Sequence, residues 1–133
     1  MPVELVRASA LADSAPYAYA AVVGDLVLTA GACPLDDTGA VVCPGDVGGQ
    51  ARRVMENLVV ALAAAGCSLA DVAKSTVYVA SADRGDLVTA WQVVRAAFGD
   101  HDAPSTLLGV TALGYPDQLV EVEAVAARPR ATR

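Results

Sequence analysis

Short valine-rich runs open the chain at residues 3–7, 19–23 and 26–31. Apolar runs of that length, rich in β-branched residues and bounded by turn formers, predict strands. Gly24-Asp25 separates the second run from the third and predicts a hairpin between them. Pro34, Asp36, Asp37, Gly39, Pro44 and Gly45 then mark a loop that carries its own apolar pair, Val41-Val42. From Val47 the period lengthens: Val54, Leu58, Ala61, Leu62 and Ala65 recur in steps of three and four, the face of a helix that stops at Gly66 in the position of a left-handed cap.

Residues 72–80 return to alternation. Lys74, Thr76 and Tyr78 fall on one face, and Ala73, Ser75, Val77 and Val79 on the other, which makes Lys74 a solvated or rim lysine. A second helix is expected to start near 83–86, where acids and Gly85 suit a helix N-terminus, and to carry Leu87, Ala90, Trp91, Val94 and Phe98 on one stripe up to Gly99. Residues 105–113 and 119–126 predict two further strands joined by a Gly114-Tyr115-Pro116-Asp117 turn, and the Arg128-Pro129-Arg130 tail is expected to fray. The order is strand, strand, strand, helix, strand, helix, strand, strand, without internal repeats. Such an α+β chain packs two helices on one face of a mixed sheet, and the other face, rich in Val and Leu, needs a partner.

At 133 residues the chain is sized for one domain, 1–133, able to bury a core without a metal or disulfide staple. A mean hydropathy of +0.46 is high for that size and points to apolar surface covered by another subunit, hence a homo-oligomer with clefts between chains where a small molecule can bind. Nine basic residues against fifteen acidic ones, with no Lys/Arg run, argue against nucleic acid. No apolar stretch is long enough to cross a membrane, and Glu4 and Arg7 interrupt any secretory core, so a cytoplasmic protein is expected. Cys33, Cys43 and Cys67 show no metal spacing and have only His101 to join them, which suggests reduced, small apolar side chains and no metal or other cofactor.

Motifs for nucleotide, zinc or serine-hydrolase chemistry are missing. His101, between Asp100 and Asp102, is expected to be a solvated loop residue. The unusual feature is Leu119-Val120-Glu121-Val122-Glu123-Ala124-Val125, where a strand turns both carboxylates to one face. Spacing alone leaves two readings open: a face in water, or a desolvated acid in a cleft that handles protons near neutral pH. Tyr17, after Ala15-Pro16, can pack or donate to a ligand, and Trp91 is either core or the edge of a pocket.

Ala15-Pro16-Tyr17, Leu28-Thr29-Ala30-Gly31 with Pro34, Gly39, Gln50-Ala51, Asn57-Leu58, Ala65-Gly66, Asp71-Val72 with Lys74, then Phe98, Pro104 and the segment 120–126 together resemble the Rid family (RidA, YjgF, L-PSP) over nearly the whole chain. The resemblance implies a chorismate-mutase-like α+β subunit in a homotrimer with three intersubunit clefts, and cofactor-free hydrolysis of enamines and imines to keto compounds and ammonia. It implies a site with Glu121 as the catalytic acid-base residue and Tyr17 and Gly31 lining the substrate. Ala30 stands for the family's serine, Trp91 for an asparagine, Ser105 or Thr106 for the arginine that grips a substrate carboxylate, and Leu107 or Leu108 for a cysteine. A hydroxyl cannot imitate the guanidinium's bidentate grip. The expected ligand is therefore a small neutral or weakly polar metabolite rather than 2-aminoacrylate, acted on at a C=N or enamine carbon. The alternative is a non-catalytic metabolite-binding or accessory protein of the same fold.

Overall fold

A computed structural model describes residues 2–129. Six strands form one sheet in the order β1-β2-β3-β6-β4-β5. The strands are β1 (Glu4–Val6), β2 (Ala20–Val23), β3 (Leu26–Thr29), β4 (Val72–Val79), β5 (Ser105–Gly109) and β6 (Val120–Ala127), with helices α1 (Val47–Ala64) and α2 (Arg84–Phe98). A short 3-10 turn, Leu69–Asp71, precedes β4 and has no counterpart in the periodic pattern. All pairings are antiparallel except β4 with β5.

Both helices lie on one face of the sheet. Leu58 and Leu62 of α1 and Val94 of α2 meet Val27, Val77, Val79, Val120 and Val122, all fully buried. Asp46 caps α1, accepting from the Gly49 amide at 3.0 Å. At the other end Gly66 takes φ +83°, and the Cys67 and Gly66 amides donate to the Leu62 and Ala63 carbonyls, which meets the last orphan acceptors in a Schellman arrangement.

Three expectations change here. Strands 105–113 and 119–126 do not form a hairpin, because β4 lies between them, and β5 ends at Gly109, where its partner β4 ends at Val79. Residues 110–119 are a ten-residue crossing, and the turn expected near 114–117 lies within it, closed by the Gln118 amide donating to the Tyr115 carbonyl at 3.1 Å, without joining paired strands. Ala73 does not share a face with Ser75: a register shift between Val72 and Lys74 pushes it outward. Arg128 is not frayed, since its amide donates to the Asp25 carbonyl at 2.7 Å and its side chain lies against Gly66; Arg130 is outside the described residues. No described helix is long and apolar enough to cross a membrane.

The face away from the helices carries Ala21, Leu26, Leu28, Glu121, Glu123, Val125, Lys74, Thr76, Tyr78, Thr106 and Leu108. Leu26, Leu28 and Leu108 are each over 40 % exposed, an apolar share that a lone subunit leaves in water.

Candidate active site

Glu121 sits on β6, opposite Tyr78 of β4. On its other side, the chain leaving β3 bridges to β6 through Ala32 and Val122, whose amides and carbonyls exchange hydrogen bonds at 2.7 and 3.2 Å. This places Gly31 under the Glu121 side chain. A Cβ at Gly31 would lie 2.1 Å from Glu121 Oε2 and 2.5 Å from its Cδ, so the carboxylate occupies the space that the missing side chain leaves.

Helix α1 fixes the stretch that follows. The Asn57 amide, buried, donates to the Cys33 and Leu35 carbonyls at 2.9 Å each, and Arg53 Nε donates to the Leu35 carbonyl. Cys33 is thereby held with its thiol 3.3 Å from Glu121 Oε1. Burial first, and then the Glu121 charge, push the Cys33 thiol up to about 12. It remains a protonated donor across the neutral range. Gln118, 4 % exposed, donates from Nε2 to the same Oε1 at 3.1 Å. Neither residue stands out in the sequence: Cys33 reads as a small apolar filler and Gln118 as part of a turn. The available signals are short spacings, two residues from Gly31 and three from Glu121.

Tyr17 joins this group. Its hydroxyl is hydrogen-bonded to Tyr115, and burial together with that bond raises its pKa. Its ring meets Tyr19 edge-on at 6.3 Å. The Tyr19 hydroxyl in turn donates to the Ala12 carbonyl. Tyr17, Ala30, Gly31 and Cys33 line a pocket of about 20 Å³, room for one water.

The remaining candidates divide between the sheet faces. Thr106 and Leu108 share the face of Glu121, whereas Ser105 bonds Ser75 Oγ at 2.8 Å on the helix side and Leu107 packs against the core there. Trp91 also lies on the helix side, half-buried on α2 beside Phe98 and His101. Ser105, Leu107 and Trp91 are therefore not gathered with Glu121 within one chain. His101 is not simply solvated, because its Nε2 lies 2.7 Å from the Val72 carbonyl and braces the loop before β5. Lys74 reaches across to Thr106 Oγ1 at 2.5 Å rather than standing free in solvent. Among the described residues no cluster of His, Cys, Asp or Glu is arranged to hold a metal.

Tyr78 donates to Glu123 Oε1 at 2.5 Å. That bond first, then burial, pushes the Tyr78 phenol up to about 12. A raised folded value means the phenol's contribution to stability is intact below about 10 and is lost as pH climbs from 10 through 12. In an alkaline titration followed by ultraviolet absorption, Tyr78 is expected to ionise above the ordinary tyrosine range, and Tyr17 later still. Glu123→Gln should return Tyr78 towards 10.0, the ordinary tyrosine value.

A six-stranded sheet covered on one side only, with a carboxylate of an interior strand seated on bare glycine backbone at its open face, defines an α+β subunit. The chain belongs to the Endoribonuclease L-PSP family, whose model matches residues 7–128. It is 36 % identical over 116 residues to the 2-iminobutanoate/2-iminopropanoate deaminase of Salmonella typhimurium, a match covering 85 % of this chain and 88 % of that one. Two Escherichia coli crystal structures superpose with a TM-score of 0.81 at 30 % identity, each covering 95 % of this chain and 99 % of the other: the YjgF gene product, and TdcF with bound serine.

Proposed function

We propose that this protein hydrolyses the C=N bond of a small imine, or of the enamine that tautomerises to it, and releases ammonia without a cofactor. The observation that carries this reading is the Glu121 carboxylate lying on the backbone of Gly31, which shares a pocket with Tyr17 and Cys33. In the first step a water gives a proton to Glu121 while its oxygen bonds to the imine carbon, and the C=N π pair moves to nitrogen, which takes that proton from Glu121 to give the neutral carbinolamine. In the second Glu121 takes the proton of the carbinolamine hydroxyl and passes it to nitrogen as the C–N bond breaks, so that nitrogen leaves as ammonia and the oxygen becomes the carbonyl. One water is consumed for each ammonia released. Tyr17 orients the substrate, and the backbone amide of Gly31, whose neighbours Ala30 and Ala32 have theirs engaged, polarises it.

The name of the Salmonella relative supports the reaction class, and its substrates are 2-imino acids. Here the open face sets two carboxylates, Glu121 and Glu123, against the single ammonium of Lys74, which is a point charge without a guanidinium's fork. A substrate with its own carboxylate is disfavoured, and a neutral or weakly polar imine is the better fit. Copies of this chain would cover Leu26, Leu28 and Leu108, closing a homotrimer whose clefts exclude bulk water from Glu121.

The test is ammonia release from imines generated in situ, both neutral and carboxylate-bearing, with Glu121→Ala as control. Rates that are equal with and without the carboxylate would remove the hydrolytic reading. A second reading, a binding protein that leaves its ligand unchanged, draws on the intact serine bound in the TdcF structure. A compound that raises the melting temperature and is recovered unaltered favours it.

A further inference from the structure

We propose that Cys33 and Gln118 are positioning residues that occupy Glu121 Oε1, fix the orientation of its carboxyl group, and leave Oε2 as the oxygen that exchanges the proton. The proposal rests on the hydrolytic reading of Glu121 and assigns the oxygen through which its proton moves.

The orientation of Gln118 is forced by its partners. Its Oε1 accepts the Tyr115 amide hydrogen at 3.1 Å, so the other end of the side chain is the NH2. That group has two hydrogens and two acceptors, the Val120 carbonyl at 3.2 Å and Glu121 Oε1 at 3.1 Å. With Gln118 buried, no alternative rotamer satisfies all three contacts, and flipping the amide would face oxygen with oxygen. The Cys33 thiol is the second donor at Oε1, at 3.3 Å. A thiol is ordinarily a weak donor, and the charge of a carboxylate strengthens the bond.

A proton placed on Oε1 would confront the Gln118 NH2 and oblige the Cys33 thiol to turn to the Gly31 carbonyl at 3.5 Å, whereas Oε2 lies against the bare Gly31 backbone and accepts no hydrogen bond among the described residues. The titratable groups around Glu121 are Cys33 from the segment after β3, Tyr78 from β4, whose hydroxyl is committed to Glu123, and the Tyr17–Tyr115 pair beyond. None of these supplies a cation. The two donors are therefore what fixes the side chain in its orientation.

The experiment compares Cys33→Ala, Cys33→Ser and Gln118→Met. Cys33→Ala and Gln118→Met are expected to lower kcat about ten- to a hundredfold, with a smaller change in KM, because a hydrogen bond to a charged group is lost. Cys33→Ser, which keeps a donor, should restore the rate. A serine variant as impaired as the alanine variant, or a loss that falls on KM alone, overturns the proposal and leaves both side chains as space fillers. Should Gln118→Met fail to fold through loss of its Tyr115 and Val120 bonds, the Cys33 pair still decides. A readout independent of turnover is the S–H stretching band of Cys33, identified by its absence in Cys33→Ser. Glu121→Leu is expected to shift it to higher wavenumber as the hydrogen bond is lost, and an unchanged band overturns the clamp. If the wild-type protein turns over no imine, the hydrolytic reading fails separately, and this band still tests the contact.

Discussion

Gly31→Ala is expected to lower imine turnover by about 100-fold or more while the chain still folds, the scale of losing a positioned acid-base group. The added methyl would stand 2.1 Å from Glu121 Oε2, 2.5 Å from Cδ and 2.7 Å from Cγ, all far inside contact distance. Backbone cannot give way, because Ala32 is locked to Val122 on one side and Ala30 donates to the Tyr19 carbonyl on the other. The flexible partner is the Glu121 side chain, which must swing out and abandon the Cys33 and Gln118 donors. Two buried donors then lose their acceptor, so a modest fall in melting temperature should accompany the loss of rate. Steady-state kinetics with circular dichroism would check this, and wild-type turnover by Gly31→Ala would show that the observed seat of the carboxylate is irrelevant to chemistry.

Gln50→Leu should have the largest effect on stability. Gln50 is fully buried at the start of α1, yet it is wholly engaged: Nε2 donates to the Asp117 and Cys43 carbonyls at 2.8 and 3.3 Å, and Oε1 accepts the Leu119 amide at 2.7 Å. Leucine fills a similar volume and removes the partner of all three backbone groups, of which the Cys43 and Asp117 carbonyls belong to exposed residues that can turn to water. An unsatisfied buried group costs about 1–3 kcal/mol, so with the lost bonds to the two carbonyls a loss of roughly 2–4 kcal/mol follows. For a domain of this size that is about 6–12 °C in melting temperature. Because Asp117 and Leu119 flank Gln118, the same variant should lower kcat even at temperatures where it remains folded. A melting temperature within a few degrees of wild type would mean that the crossing is held by something other than Gln50.

Periodicity made the elements legible and left their neighbours hidden. Alternation in 72–80 and 119–126 and the three-four spacing from Val54 to Ala65 reflect burial on one side, which a sequence records directly. Which strand lies beside which is recorded nowhere in that pattern. The turn at 114–117 suggested a hairpin, whereas β4 inserts between β5 and β6 and takes β5 in parallel. The site divides in the same way. Glu121, Tyr17 and Gly31 stand in segments whose residue types are distinctive, while Thr106 could be separated from Ser105, and Leu108 from Leu107, only when the register of β5 on β4 fixed which side chains share the face of Glu121. Cys33 and Gln118 were invisible as partners because each reaches the carboxylate through contacts made in space, the former across 88 positions of chain.

That long reach has a bearing on folding. Both helices and β4 lie between the two halves of the carboxylate's setting, and β6 inserts between β3 and β4. The seat of Glu121 on Gly31 therefore forms only as β6 closes the sheet and adds Val120, Val122, Ala124 and Ala126 to the core, and closing so distant a contact is the slow part of assembling such a topology. A probe of the Glu121 environment would thus serve as a gauge of completed folding.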